Sequence, residues 1–204
     1  MSRRERALLA GQLCLLASAA VAAPLLSRQE DWEPIELFAL LVSIAALAGA
    51  FRFRIAGFQV STSFLAIVLA ITLLGPTPAA VLGVVAMLVD AARRRPPWRD
   101  VVVNLSTFAS FPLAGGVLFN ILGGPAVEGD EGAAYVLIVL ATFMATNLLN
   151  FLLIAIDVWI MDKQPVLRSL RNVYLPTIPT ELAIGLLTAA VTFVYQREDV
   201  WALT

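Results

Sequence analysis

The side chains with most chemistry to offer in this chain are a carboxyl, several amides and several hydroxyls set in apolar sequence. Glu181 stands in "YLPTIPTELAIGLL", about two turns into an apolar run, with no basic residue within several positions. A carboxyl in hydrocarbon costs roughly a few kcal/mol unless it finds an inter-helical partner, water or a proton. In "ATFMATNLLNFLLIAIDVW", Thr142, Thr146, Asn150 and Asp157 recur at spacings of four, four and seven. That spacing predicts one polar stripe along a helix, with Asn147 beside it. A preceding run adds Asn104, Ser106, Thr107 and Ser110, with Asn120 further on. Pro176 and Pro179 withhold backbone donors next to Thr177, Thr180 and Glu181. Such groups hydrogen-bond: they glue apolar helices together, or they hold a small neutral or cationic molecule or a lipid headgroup. We expect a polar, partly hydrated cavity lined by Asn104, Thr146, Asn147, Asn150 and Glu181, the polar residues with no interface close enough to escape to.

Other chemistry is excluded by what the chain lacks. It has no histidine and one cysteine, Cys14. Haem ligation by His, His-based zinc sites, Ser-His triads and imidazole pH sensing therefore have no residues to use, and no intrachain disulfide can form. Cys14 reads as a small packing residue. There is no Walker A sequence, no dinucleotide-binding glycine pattern after a strand and no kinase signature. The expectation is a protein that is not an enzyme, with no catalytic residues, metal, cofactor or nucleic acid.

The elements that must position these groups follow from composition. Of 204 residues, 60% are apolar and 14% charged, against about 25% charged in soluble domains. This predicts an all-α, polytopic integral membrane bundle of about six to seven segments forming one transmembrane domain over 1–204. A cleaved signal peptide at the N-terminus is the alternative for the first run, which is long enough to span and is followed at once by others. The segments are 7–26, 35–50, 58–74, 77–92, 101–122, 133–161 and 173–195, judged against the ~20 residues that cross a bilayer. The second, third and fourth are short.

Between the third and fourth lies Gly75-Pro76-Thr77-Pro78. Gly75, Pro76 and Pro78 are expected to break the helix and form a turn between two antiparallel helices, covered by protein or facing a wet cavity because lipid cannot satisfy freed carbonyls. Ala79, Ala80, Gly83 and Ala86 are small enough to let helices approach closely.

Charge sets the orientation. Placing the N-terminus inside puts Arg3, Arg4, Arg6, Arg52, Arg54, Arg93, Arg94, Arg95, Arg99, Lys163, Arg168 and Arg171 at inside ends and leaves only Arg28 and Arg197 outside. The outside loops "SRQEDWEP", "GGPAVEGDEG" and "QRED" are acidic. This bias predicts a cytoplasmic N-terminus and an external end for this chain. The closing "VWAL" reads either as an interfacial Trp anchor or as the opening of a further apolar stretch in something longer.

The succession "LLGPTPAAVLGVVAMLVDAARRRPPWRDVVVNLSTFA", "FMATNLLNFLLIAI" and "QPVLRSLRNVYLPTIPTELAIGLL" resembles the N-terminal membrane region of bacterial, often actinobacterial, cyclic-di-GMP signalling proteins that precedes a cytoplasmic HD-GYP or GGDEF domain. The matching elements are Gly75-Pro76, the Arg-rich turn with Trp98, Asn104, Asn147 and the proline-bearing last segment. "GPTPAAVLGVVAMLVD" is also similar to the substrate-binding subunits of energy-coupling-factor vitamin transporters, compact bundles with a pocket toward the outside. The first resemblance implies a sensory or ligand-binding module in the bacterial inner membrane that regulates an attached or associated HD-GYP or GGDEF output. The second implies small-molecule uptake; a structural anchor is the third reading. The partners expected are the bilayer, a small-molecule ligand, the output domain and a second copy of the chain.

Overall fold

The computed structural model describes residues 3–48, 52–55, 58–61, 63–124 and 132–198. Residues 125–131 of the acidic loop, 49–50 at the end of the second predicted segment and the "VWAL" stretch lie outside the described residues. In chain order the elements are α1 (Arg3–Leu26), a 3-10 turn (Glu30–Trp32), α2 (Ile35–Ala48), β1 (Arg52–Ile55), β2 (Phe58–Ser61), α3 (Ser63–Leu73), α4 (Pro76–Arg94), α5 (Trp98–Ile121), α6 (Gly132–Asp162), α7 (Val166–Ser169), a π-helical segment (Leu170–Tyr174) and α8 (Leu175–Glu198). Five helical runs are long and apolar enough to cross a membrane: α1, α4, α5, α6 and the continuous run Val166–Gln196.

The expectation of an unbroken helix over 58–74 is corrected. Phe58–Ser61 pairs antiparallel with Arg52–Ile55, Arg52 opposite Ser61 and Ile55 opposite Phe58. Aromatic and β-branched residues such as Phe53, Ile55, Phe58 and Val60 suit strands. Among the described residues the fold is helical with this one short ribbon. What remains of the third segment, α3, has 11 residues and rises only about 16 Å, roughly half of a hydrocarbon core.

This short helix is the centre of the bundle. Ala66, Ile67, Val68, Leu69, Ala70 and Ile71 are consecutive and all buried, so α3 has no face to give to solvent or lipid, as its uniformly apolar sequence requires. It is enclosed by α2, α4, α5 and α8. At its start the Phe64 ring stacks 5.5 Å from Phe111 of α5 and meets Phe143 of α6 edge-on at 5.2 Å. Around it, α5 lies against α1, α3, α4 and α6, and α6 lies against α5 and α8.

Glycines decide how closely these helices meet. A methyl built on Gly83 of α4 would stand 2.7 Å from the Phe108 carbonyl oxygen of α5, and one on Gly116 of α5 would stand 2.7 Å from Cα of Pro76. Pro112 in α5 has no N–H to give to Phe108. The absent side chain at Gly83 thus brings α4 against the carbonyl that Pro112 leaves without its helical donor.

The turn between α3 and α4 is made by Gly75, with φ of 91°, a backbone conformation natural to glycine. The prolines begin a helix here rather than interrupt one: Pro76 opens α4 and Pro78 stays within its first turn, where a missing N–H removes no helical bond. Protein covers the turn. Pro76, Thr77 and Pro78 are buried, the Thr77 hydroxyl donates to the Ala23 carbonyl of α1 at 2.8 Å, and the Asp31 carboxyl lies beside Gly75.

At the opposite, basic end, α4 and α6 are each followed by a residue in the left-handed region, Arg95 (φ 51°) and Lys163 (φ 57°). That conformation costs an L-residue roughly 1–2 kcal/mol and is normally given to glycine. Nearby, Arg94 pairs with the buried Asp90 at 2.8 Å, and Arg93 donates to the Ala46 carbonyl of α2 at 3.3 Å. Between α7 and α8 the π-helical segment leads into Pro176 and Pro179. Proline cannot donate to the carbonyl four residues back and its ring crowds that carbonyl, so a locally wider turn relieves both conflicts. Thr177 helps by donating its hydroxyl to the Tyr174 carbonyl at 2.8 Å.

Candidate functional site

Polar groups concentrate on α5, α6 and α8, and helix rotation sorts them into separate contacts. Asn147 is the middle residue of the 31 in α6 and faces α8, where its Nδ2 donates to Glu181 Oε2 at 2.8 Å. Both side chains are half-buried. The preceding residue, Thr146, is turned about 100° around the helix and faces α5 instead: it is buried, and a methyl on Gly115 would stand 2.7 Å from its Oγ1. Its hydroxyl donates to the Thr142 carbonyl at 2.5 Å. Asn150, one turn on, has a buried Oδ1 with no hydrogen-bond partner among the described residues.

The five residues expected to share a cavity do not converge on one point. Asn104 donates its Nδ2 to the Asp100 carbonyl of its own helix at 2.7 Å. The register of the antiparallel α5 and α6 follows from Gly115 opposite Thr146 and from Arg99 Nη2, 3.1 Å from Met161 Sδ. Asn104 therefore lies near the level of Asp157, about two turns or ~10 Å from Asn150 toward the basic end. The structure joins Asn147 to Glu181, sets Thr146 and Asn150 on the adjoining side of α6, and leaves Asn104 apart.

Further polar contacts went unanticipated. Ser106 of α5 donates to Gln12 Oε1 of α1 in a buried contact, and Gln12 is 7% exposed. A lone Gln in "LLAGQLCLLAS" was the available signal. Thr72 of α3 and Thr192 of α8 meet at 3.4 Å through their hydroxyls. Thr188 and Thr192 are fully buried, and with Thr177 and Glu181 they form a helical stripe at spacings of four, seven and four, as regular as the one on α6. The Oγ1 atoms of Thr107 and Thr142 are buried without a hydrogen-bond partner among the described residues. At the basic end Arg99 joins three helices, reaching Glu5 of α1 at 3.5 Å and Met161 of α6 from its place on α5.

The Asn147–Glu181 pair is the arrangement with chemical potential. One carboxylate oxygen accepts from an uncharged amide, and no ion pair to Glu181 exists among the described residues. The carboxyl keeps acceptor capacity for a hydrogen-bond donor or a cationic group, and the amide oxygen of Asn147 is a second acceptor beside it. Among the described residues no group of three His, Cys, Asp or Glu side chains stands close enough to hold a metal ion. No family model, curated protein or solved structure matches the chain.

Proposed function

We propose that the chain is a polytopic protein of the bacterial inner membrane, with its basic end cytoplasmic, and that it is a sensory or ligand-binding module regulating a cytoplasmic output. The observation that carries this reading is the 2.8 Å bond between Asn147 and Glu181. With α6 spanning the bilayer, Asn147 at its midpoint places near the midplane a carboxyl whose hydrogen-bond partner among the described residues is an uncharged amide. Ionisable residues at that depth mark functional sites more often than packing alone would require. A ligand donor group that took over the Glu181 acceptor would release the Asn147 amide and change how α8 is held against α6. Toward the basic end α8 continues through the π-helical segment into α7, so a shift at Glu181 has a path to the cytoplasmic face. The output itself, an HD-GYP or GGDEF domain, is taken from the sequence resemblance.

The test is cellular cyclic-di-GMP in cells producing the protein from its own locus. Glu181→Gln and Asn147→Leu should change its level while membrane abundance of the protein stays constant. An unchanged level in both variants would reject the sensory reading and leave an anchor or an uptake subunit.

A further inference from the structure

The basic residues at one end of the bundle divide into those used internally and those that are not. Arg94 is paired with Asp90, Arg99 with Glu5, and Arg93 is bonded to the Ala46 carbonyl. Besides the exposed Arg3, Arg4 and Arg6 of α1, the connections carry four more: Arg95, Lys163, Arg168 and Arg171 are exposed and have no ion-pair partner among the described residues. Two of these four, Arg95 and Lys163, are the only non-glycine residues with positive φ among the described residues. Each ends a long helix, and each is followed two residues later by the proline that caps the next helix, Pro97 before α5 and Pro165 before α7. Glycine would fill both positions without strain. Strain kept at two equivalent places, both times by a cation, points to a use for the cation.

The surroundings indicate what that use is. Trp98, three residues after Arg95, is 60% exposed, and Trp159, one turn before Lys163, is 53% exposed. The Arg99–Met161 contact puts both tryptophans at the same end of the bundle. Leu167, beside Arg168, is 74% exposed. Exposed indoles and an exposed leucine interleaved with unpaired cations match the boundary between acyl chains and phosphate-bearing headgroups. Asp100 and Asp162 are exposed there as well, so the surface is mixed, with the unpaired cations in excess.

We propose that Arg95 and Lys163 are fixed contact points for the headgroups of anionic lipids, held at the headgroup level by the left-handed caps of α4 and α6, with Arg168 and Arg171 extending the same surface. This rests on the membrane reading above, and alkaline carbonate extraction separates the two: release of the chain from native membranes would overturn the membrane reading itself. For the lipid contact, the purified full chain is placed in mixed micelles of phosphatidylglycerol and phosphatidylcholine, and the lipid it retains is counted by native mass spectrometry. Wild type should retain phosphatidylglycerol preferentially, and the preference should fall about fivefold for each cation removed in Arg95→Gly and Lys163→Gly. Because glycine relieves the left-handed strain, the double variant should melt no lower than wild type in phosphatidylcholine alone, which excludes misfolding as the cause. Arg95→Asn with Lys163→Asn, which tolerates the same backbone without charge, should behave alike. A wild-type chain with no preference, a double variant that keeps it, or inorganic phosphate that stabilises the chain as much as phosphatidylglycerol would overturn the proposal.

Discussion

Gly83 of α4 and Phe108 of α5 are packed so that a methyl on the glycine would stand 2.7 Å from the phenylalanine's carbonyl oxygen. The obstacle is backbone, which cannot swing aside as a flexible side chain would. Gly83→Ala must push α4 and α5 apart and should destabilise the protein by about 1–3 kcal/mol, read as a lower melting temperature in detergent. An unchanged melting temperature would show that the close approach is dispensable.

Gly75 carries two independent constraints. Its φ of 91° disfavours any L-residue, and a methyl there would stand 3.2 Å from Asp31 Cγ. Gly75→Ala should cost about 1–3 kcal/mol, since φ 91° with ψ 179° is a region essentially reserved for glycine, and adding Asp31→Ala should recover only the steric part. Full recovery in the double variant, measured by thermal melting, would mean that backbone strain is not the main term.

The Asn147–Glu181 bond predicts coupling. In a double-mutant cycle of Asn147→Leu and Glu181→Leu the interaction energy should lie at about 0.6–2 kcal/mol, the range of polar contacts between membrane helices. A coupling of zero would remove this pair as a link between α6 and α8.

Orientation can be read by labelling with an impermeant maleimide. Cys14 is exposed on α1 and must first be replaced. In that background Leu122→Cys, at a position 40% exposed at the end of α5, should react from outside intact cells, and Pro97→Cys at the basic end should not. The reverse pattern would invert the topology. Leu122 is the better probe because the neighbouring Gly124 packs against the Phe119 ring.

Local sequence accounts for much of this protein. Blocks of apolar residues predict long helices because each helix satisfies its own backbone wherever it lies, and the basic and acidic ends follow from residues that sit in connections. The stripe of Thr142, Thr146 and Asn150 was legible because 3.6 residues per turn is a property of the helix alone. Glu181 could be singled out as a carboxyl in need of a partner, but its partner could not be chosen. Asn147, Asn150 and Thr146 were equally eligible by spacing, and the choice depends on how α6 is rotated between α5 and α8. That rotation is set by non-local contacts, with Gly115 admitting Thr146 and Gly185 lying against Leu140 and Phe143. Asn104 left the expected group for a related reason: its own helix offered the Asp100 carbonyl at 2.7 Å, while the register of α5 against α6 carried it two turns away. Likewise Phe58–Ser61 is apolar enough to continue a helix and became a strand because Arg52–Ile55 lay in reach to pair with it. Apart from that ribbon, composition and periodicity determined what each segment is. Only the tertiary structure, through the few glycines where backbones meet, decided which side chains face one another.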